Sequence, residues 1–273
     1  MSLREKDKFL FGLYSFLVLL IAAIAIFAPW LAPYDPYEAT MRHSLLAPST
    51  EHVLGTDKLG RDCLTRILYG ARTSLLMTLS LVVLISGIGT FIGILSGYLG
   101  GKVDMALMRL VDMMLAFPGI VLAIAIAGML GGNILNTILA LAVVSWTKYA
   151  RLGRSLTLKL RERDFIYAAV TNGTKPLQIL RHHILPNALP TIVVTAAMDI
   201  GTMIMELAGL SFLGFGAQAP TPEWGLMLNE GRQHIQTAPW LMLYPGIAIL
   251  MVVAIFNLWG DSLRDIMDPQ KAN

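Results

Sequence analysis

The sequence predicts an all-α, polytopic membrane protein, and three observations carry that expectation. Of the 273 residues, 55% are hydrophobic and 14% charged, whereas soluble domains hold about 45–50% apolar and about 25% charged residues. The apolar residues gather into long runs, and about 20 residues of helix cross a hydrocarbon core of about 30 Å. The basic residues between those runs are distributed unevenly. With the N-terminus inside the cell, fifteen of the 21 Lys and Arg fall on the inner side and six on the outer, the bias that cytoplasmic retention of positive charge produces. Both termini are therefore expected in the cytoplasm, and the net charge of +3 gives no reason to invoke nucleic acid.

Six spans are predicted, near 9–32, 74–99, 106–127, 134–150, 189–213 and 242–260. The first follows Arg4, Lys6 and Lys8 and resembles a secretory signal. Its apolar core is longer than such signals use, and Pro29 follows the small residue Ala28, so an uncleaved anchor is expected. An external loop of about forty residues comes next. Its last part, "DCLTRILYGARTSLL", places Leu64, Ile67 and Leu68 at helical spacing and is expected to lie along the membrane surface. In the second span Gly89, Gly93 and Gly97 recur every four residues on one face, a pattern that lets helix backbones approach closely in lipid. In the third, Arg109 and Asp112 stand one turn apart and are expected to pair, while Pro118 frees a backbone carbonyl and kinks the helix; this trio forms a candidate gate or interface. The fourth run, Ile134 to Trp146, is short and needs Thr147 to Ala150 to finish a crossing. Between Trp224 and Trp240, both suited to the membrane interface, a short flat-lying helix is expected.

The inner segment "DFIYAAVTNGTKPLQILRHHILPN", residues 164–187, is the one long polar and basic insert between hydrophobic runs. A short helix from Phe165, a turn at Gly173 where positive φ costs little, a second helix with Pro176 in its first position and a stop at Pro186 together make a rigid elbow. Ala168 and Ala169 on its tip would suit close docking into a groove of another protein, since rigidity lowers the ordering cost of binding.

The spacing of Ala168, Ala169, Gly173, Leu185 and Pro186 resembles the EAA loop of the membrane subunits of bacterial ABC importers. Further blocks, "HVLGTDKLGRDCLTRILYGARTSL", "MRLVDMMLAFPG", "RHHILPN", "LSFLGFGAQAPTPEWG", "APWLMLYPG" and "GDSLRDIMDP", occur in an order similar to that of the second permease subunit of the dipeptide, oligopeptide and nickel importers. The resemblance covers about residues 9 to 270. It implies a type I importer permease fold, with residues 1–73 as anchor and external loop, 74–265 as permease core and 266–273 as a cytoplasmic tail. It further implies that the elbow, with Tyr167, Ala168, Ala169, Gly173, His183, Leu185 and Pro186, couples to an ATPase. The implied partners are a homologous second permease, two ATP-binding subunits inside and a substrate-binding protein outside, in a bacterial inner membrane. The chain has no GxxxxGK[ST] phosphate loop, so ATP and Mg are expected in the partner subunits and no cofactor on this chain.

Two departures from the family pattern stand out. Tyr167 occupies the place of the usual Glu before the alanine pair. At the end of the fifth span Leu207-Ala208-Gly209, preceded by Glu206, resembles the nickel-transporting members more than the peptide-transporting ones. Nickel or a metal chelate is therefore the expected cargo, with di- or oligopeptides as the alternative.

Asp199 and Glu206 lie seven residues apart on one face of the fifth span, where charge is costly and usually faces a water-filled route. They are candidates for the translocation path, or for pairing with a sister permease. His182 and His183 fall in the elbow; His43, His52 and His234 are expected outside, where they could meet an arriving metal complex. The single cysteine, Cys63, rules out an internal disulfide. An intramembrane enzyme would need an activated nucleophile, but Ser80, Ser86, Ser96, Ser145 and Ser211 have no histidine in any span beside them. A self-sufficient secondary transporter would be expected to carry an inverted repeat, and none is visible.

Overall fold

Asp62 begins the longest element of the computed structural model, which describes residues 3–267. After α1 (Leu3–Leu31) and a loop, the Asp62 carboxylate accepts the Thr65 amide at 2.8 Å and starts α2 (Cys63–Leu99). Gly100, at φ +65°, ends α2 and leads to α3 (Gly101–Leu115) and α4 (Gly119–Leu130). Asn133 then caps α5 (Ile134–Arg161). The elbow follows as α6 (Asp164–Thr171) and α7 (Pro176–Ile179), and α8 (Leu185–Phe212), α9 (Trp224–Gly231) and α10 (Trp240–Met267) complete the order. No strand occurs among the described residues. The expected tail, 266–273, is helical at Ile266 and Met267, and its remainder, with Lys271, lies outside the described residues.

Each predicted span except the third falls on a single helix, yet the count of six is not reached by length and composition. Among the described residues four helices are long and apolar enough to cross a membrane, residues 7–31, 63–99, 176–212 and 240–267, and the bent pair α3–α4 makes a fifth if taken as one crossing. The third predicted span is broken rather than kinked: α3 and α4 meet at 88°, with Pro118 starting α4. The second half of α5 carries Lys148, Arg151, Arg154, Lys159 and Arg161, which explains why its apolar run is too short.

Two further expectations are corrected. "DCLTRILYGARTSLL" is no separate surface helix but the first turns of α2, whose 37 residues span about 55 Å at 1.5 Å each. Gly70 does not interrupt it, because the indole of Trp224 fills the space where a Cβ would stand, at 2.8 Å. Pro186 does not end the elbow's second helix either. Residues 180–184 form a π turn in which the Leu185 amide donates to Leu180 O, and α7, this turn and α8 run on as one 37-residue helix. The wider turn accommodates a ring that brings no N–H donor.

The core forms where α2, α5, α8 and α10 meet, around Leu81, Ile85, Leu141, Ile204 and Leu210. Its closest approach is the glycine stripe of α2. A Cβ on Gly89 would stand 2.3 Å from Trp146 O and one on Gly93 2.2 Å from Ala150 O; one on Gly97 would meet the backbone of Arg154 at 2.9 Å. The stripe thus lets α5 lie against α2 in the same direction. α1 packs outside, tied to α10 by the Trp259 indole donating to Ser15 at 3.0 Å. Phe16, Val83, Phe91, Met129 and Leu250 remain exposed on the outer faces, as a chain that spans lipid requires.

Candidate functional site

The elbow is built much as its turn residues dictate. Gly173 adopts φ +72°, and its amide and that of Thr174 close the end of α6 on Val170 O and Ala169 O, both at 3.0 Å. Pro176 opens α7, and the Gln178 side chain accepts the Lys175 amide at 3.3 Å. Ile166, Ala169, Ile179 and Ile184 bury against Ile94 of α2 in a small core of their own. Ala169 therefore faces inward, and only Ala168 of the expected pair lies on the surface. Around Ala168 the elbow presents Tyr167, Val170 and Leu177, the last 74% exposed. The His183 ring lies 6.2 Å from that of Phe165, and its carbonyl accepts from Asn187 at 2.6 Å. His182 bonds Gln178 O at 3.2 Å. Leu185 and Pro186 occupy the first turn of α8, directly after the π turn.

From that turn α8 leads to an open groove between α5 and α10, lined by Lys148, Asp199, Thr191, Thr195, Thr202 and Arg264 among others, with a volume of 580 Å³. Asp199 is buried, and both its oxygens are engaged: Oδ1 by the Lys148 ammonium at 2.5 Å, Oδ2 by the Tyr149 hydroxyl at 2.8 Å. Its partners thus lie within this chain. Glu206 stands two turns further along α8, half-buried, and does not line the groove. The other sequence candidates divide differently from the expectation. Asp112 pairs with Arg151 of α5 at 2.5 Å rather than with Arg109. Two turns of α3 earlier, Asp104 takes a two-pronged bond from Arg154, at 2.5 and 2.6 Å, and a third from Ser96. The basic second half of α5 thus holds α3 against the bundle.

At the opposite end lies a cluster the sequence did not single out. The Arg61 and Arg66 guanidiniums, each 1% exposed, share the carboxylates of Asp57 and Glu230 at 2.6–3.5 Å. Arg66 also donates to the carbonyls of Pro36 and Pro220, both at 3.2 Å. Glu223 caps α9, accepting from the amides of Gly225 at 2.9 Å and Leu226 at 2.8 Å and from Ser74 at 3.2 Å. Burial pushes its carboxyl above the usual glutamate range, and those bonds oppose the shift. His52, buried, bonds Asp62 at 3.0 Å, and the His43 ring sits 5.5 Å from it. Among the described residues no group of three or more His, Cys, Asp or Glu is arranged to hold a metal ion.

Long apolar helices, a polar groove at one end and a stiff exposed elbow beside it define a helical membrane-transport subunit. Comparison with known proteins gives the family. Residues 89–273, more than half of the chain, match the binding-protein-dependent transport system inner membrane component, and residues 3–48 match the N-terminal TM domain of oligopeptide transport permease C. The chain belongs to the binding-protein-dependent transport system inner membrane component family and is the permease subunit of an ABC importer. It is 49% identical to the dipeptide transport system permease protein DppC of Alkalihalophilus pseudofirmus over 90% of this chain and 81% of that protein. It is 42% identical to the nickel transport system permease protein NikC of Escherichia coli (strain K12), over 93% and 91%. In fold it is similar to a chain of the MetNI methionine ABC transporter in an inward-facing conformation, with a TM-score of 0.61 and 20% identity over 75% of this chain and 98% of that one. These relatives are transport subunits, which bears out the transport reading over the enzymatic one.

Proposed function

We propose that this permease passes small peptides inward, driven by ATP that two partner subunits hydrolyse beneath the elbow. A second permease completes the path and an external binding protein delivers the cargo. Both termini and the elbow lie on the cytoplasmic side of the inner membrane, with 74–265 as the working core. The observation that carries this reading is the elbow's construction. Tyr167, Ala168 and Leu177 are offered to a partner on a unit whose second helix continues without a break into α8, which lines the groove. A push on the elbow is therefore transmitted to the groove by a rigid rod, the kind of element that rigid-body switching needs. Arg109, Asp112 and Pro118, on the broken α3–α4 span, are assigned to a gate or to the contact with the second permease.

Peptide is favoured as cargo by the charges of the groove, where the exposed Lys148 and Arg264 present positive charge to a peptide's terminal carboxylate while Asp199 is already engaged. The reading of nickel or a metal chelate keeps one specific observation, the Leu207-Ala208-Gly209 pattern near Glu206. Uptake by the purified complex in proteoliposomes separates the two: labelled dialanine accumulates with ATP and nickel does not. Accumulation of nickel alone would reverse the cargo. The coupling reading is tested by Leu177→Asp, which places a charge on the exposed elbow and leaves the core untouched. The expected result is loss of the ATPase subunits on co-purification, with membrane insertion unchanged; retention at wild-type level would refute the docking.

A further inference from the structure

The charges lining the groove differ in availability. The Asp199 carboxylate is buried and both its oxygens are taken, by Lys148 and Tyr149. The Lys148 side chain is 58% exposed, and an ammonium has three donors, of which Asp199 occupies one. Arg264, exposed near the end of α10, lines the same groove from the facing side. Whatever enters therefore meets two cations, accompanied by the threonines 191, 195 and 202, and a carboxylate already engaged. A divalent metal ion would be repelled by that lining. A carboxylate would be received by it, with charge-assisted bonds from both sides of the groove. Position adds to the argument: Pro190 and Thr191, close to the elbow, and Met267, at the end of α10, line the groove as well, so it lies at the inner end of α8.

We propose that this groove is a carboxylate subsite, in which Lys148 and Arg264 hold the C-terminal carboxylate of a peptide before its release into the cytoplasm. The assignment rests on the peptide reading given above. Asp199 and Tyr149 act as positioning residues, holding the lysine stem against α8 so that its ammonium stays at the groove wall. The site would give the permease a preference for the free acid over the amide of the same peptide.

Equilibrium binding to the complete, nucleotide-free importer in nanodiscs, without the delivery protein, tests the subsite, using dialanine and dialanine amide as probes. Wild-type complex is expected to bind the acid more tightly by about tenfold, the value of one charge-assisted contact of about 1.4 kcal/mol. Arg264→Gln should remove most of that preference and leave amide binding unchanged. Lys148→Gln should do the same, with Lys148→Arg restoring it; if Lys148→Gln does not assemble, Arg264→Gln alone decides. Equal affinity for acid and amide, no binding of either, or a preference that survives Arg264→Gln would overturn the subsite. Dialanine uptake by wild-type proteoliposomes separates the two levels. Uptake without an acid preference leaves the cargo reading standing and removes the subsite, and absence of uptake removes both.

Discussion

The two ends of the bundle solve opposite problems. At the end remote from the elbow, the outer end in the topology proposed above, Arg61, Arg66, Asp57, Glu230 and Glu223 are buried or nearly so, and their bonding groups meet partners within the chain. At the inner end, the elbow buries four apolar residues against Ile94 and leaves Tyr167, Val170 and Leu177 exposed. Buried charge with internal partners makes a closed surface that depends on every member. Exposed apolar groups on a stiff frame make a surface that is complete only with something seated on it. Changes at the outer end should therefore register as stability, and changes at the inner end as coupling.

The largest effect is expected from Arg66→Ala. It removes a guanidinium that bonds two backbone carbonyls and two carboxylates, and leaves part of Glu230 uncompensated in a buried setting. Breaking such a pair costs about 3–5 kcal/mol, so the purified permease should melt well below wild type. Arg42→Ala, at an exposed position of the loop that precedes α2, should leave the midpoint within error. Equal melting of the two variants would break the contrast between the ends.

Gly173→Val should have a smaller effect on stability and a complete one on transport. A Cβ there meets nothing within 4 Å, so the penalty is backbone strain at φ +72° alone, about 1–3 kcal/mol. The turn between α6 and α7 is where that strain acts, so ATP-driven uptake should be lost while insertion and the outer end persist. Normal uptake would mean that the elbow's angle does not matter to coupling.

What the sequence disclosed follows from the range of each interaction. The glycine stripe of α2 was legible because small residues at four-residue spacing act on one helix face. Gly173 and Pro176 were legible because turn chemistry is local. Pro186 misled because a π turn, not a stop, absorbs its missing donor. Ala169 misled because its direction is set by Ile94, far away in the chain. The Arg66–Glu230 bond joins residues 164 positions apart and the Lys148–Asp199 bond 51, and no periodicity announces either. Asp112 has Arg109 one turn away and Arg151 39 positions away, and the distant arginine takes it because α5 packs beside α3. A cue was available at the outer end, where Asp57 and Arg61 sit four residues apart ahead of Arg66.

The smallest effect sharpens the outer half of the contrast through pH. Burial raises the Glu223 carboxyl above its ordinary range, with the bonds from Gly225, Leu226 and Ser74 opposing. An unfolded glutamate titrates near about 4.3. Between that pH and the raised value, the folded chain binds the proton that the unfolded chain has released. Stability from this group is therefore present in acid and is lost as pH rises through the folded pKa, with a slope of at most about 1.4 kcal/mol per pH unit. Glu223→Gln keeps an oxygen acceptor for the cap and cannot ionise. Relative to that variant, wild type should lose thermal stability steadily as pH climbs out of the acid range, and the difference should level off above the folded pKa. A difference that stays constant across the range would mean that Glu223 ionises in the fold as it does in the open chain, and that the α9 cap is wet rather than sealed.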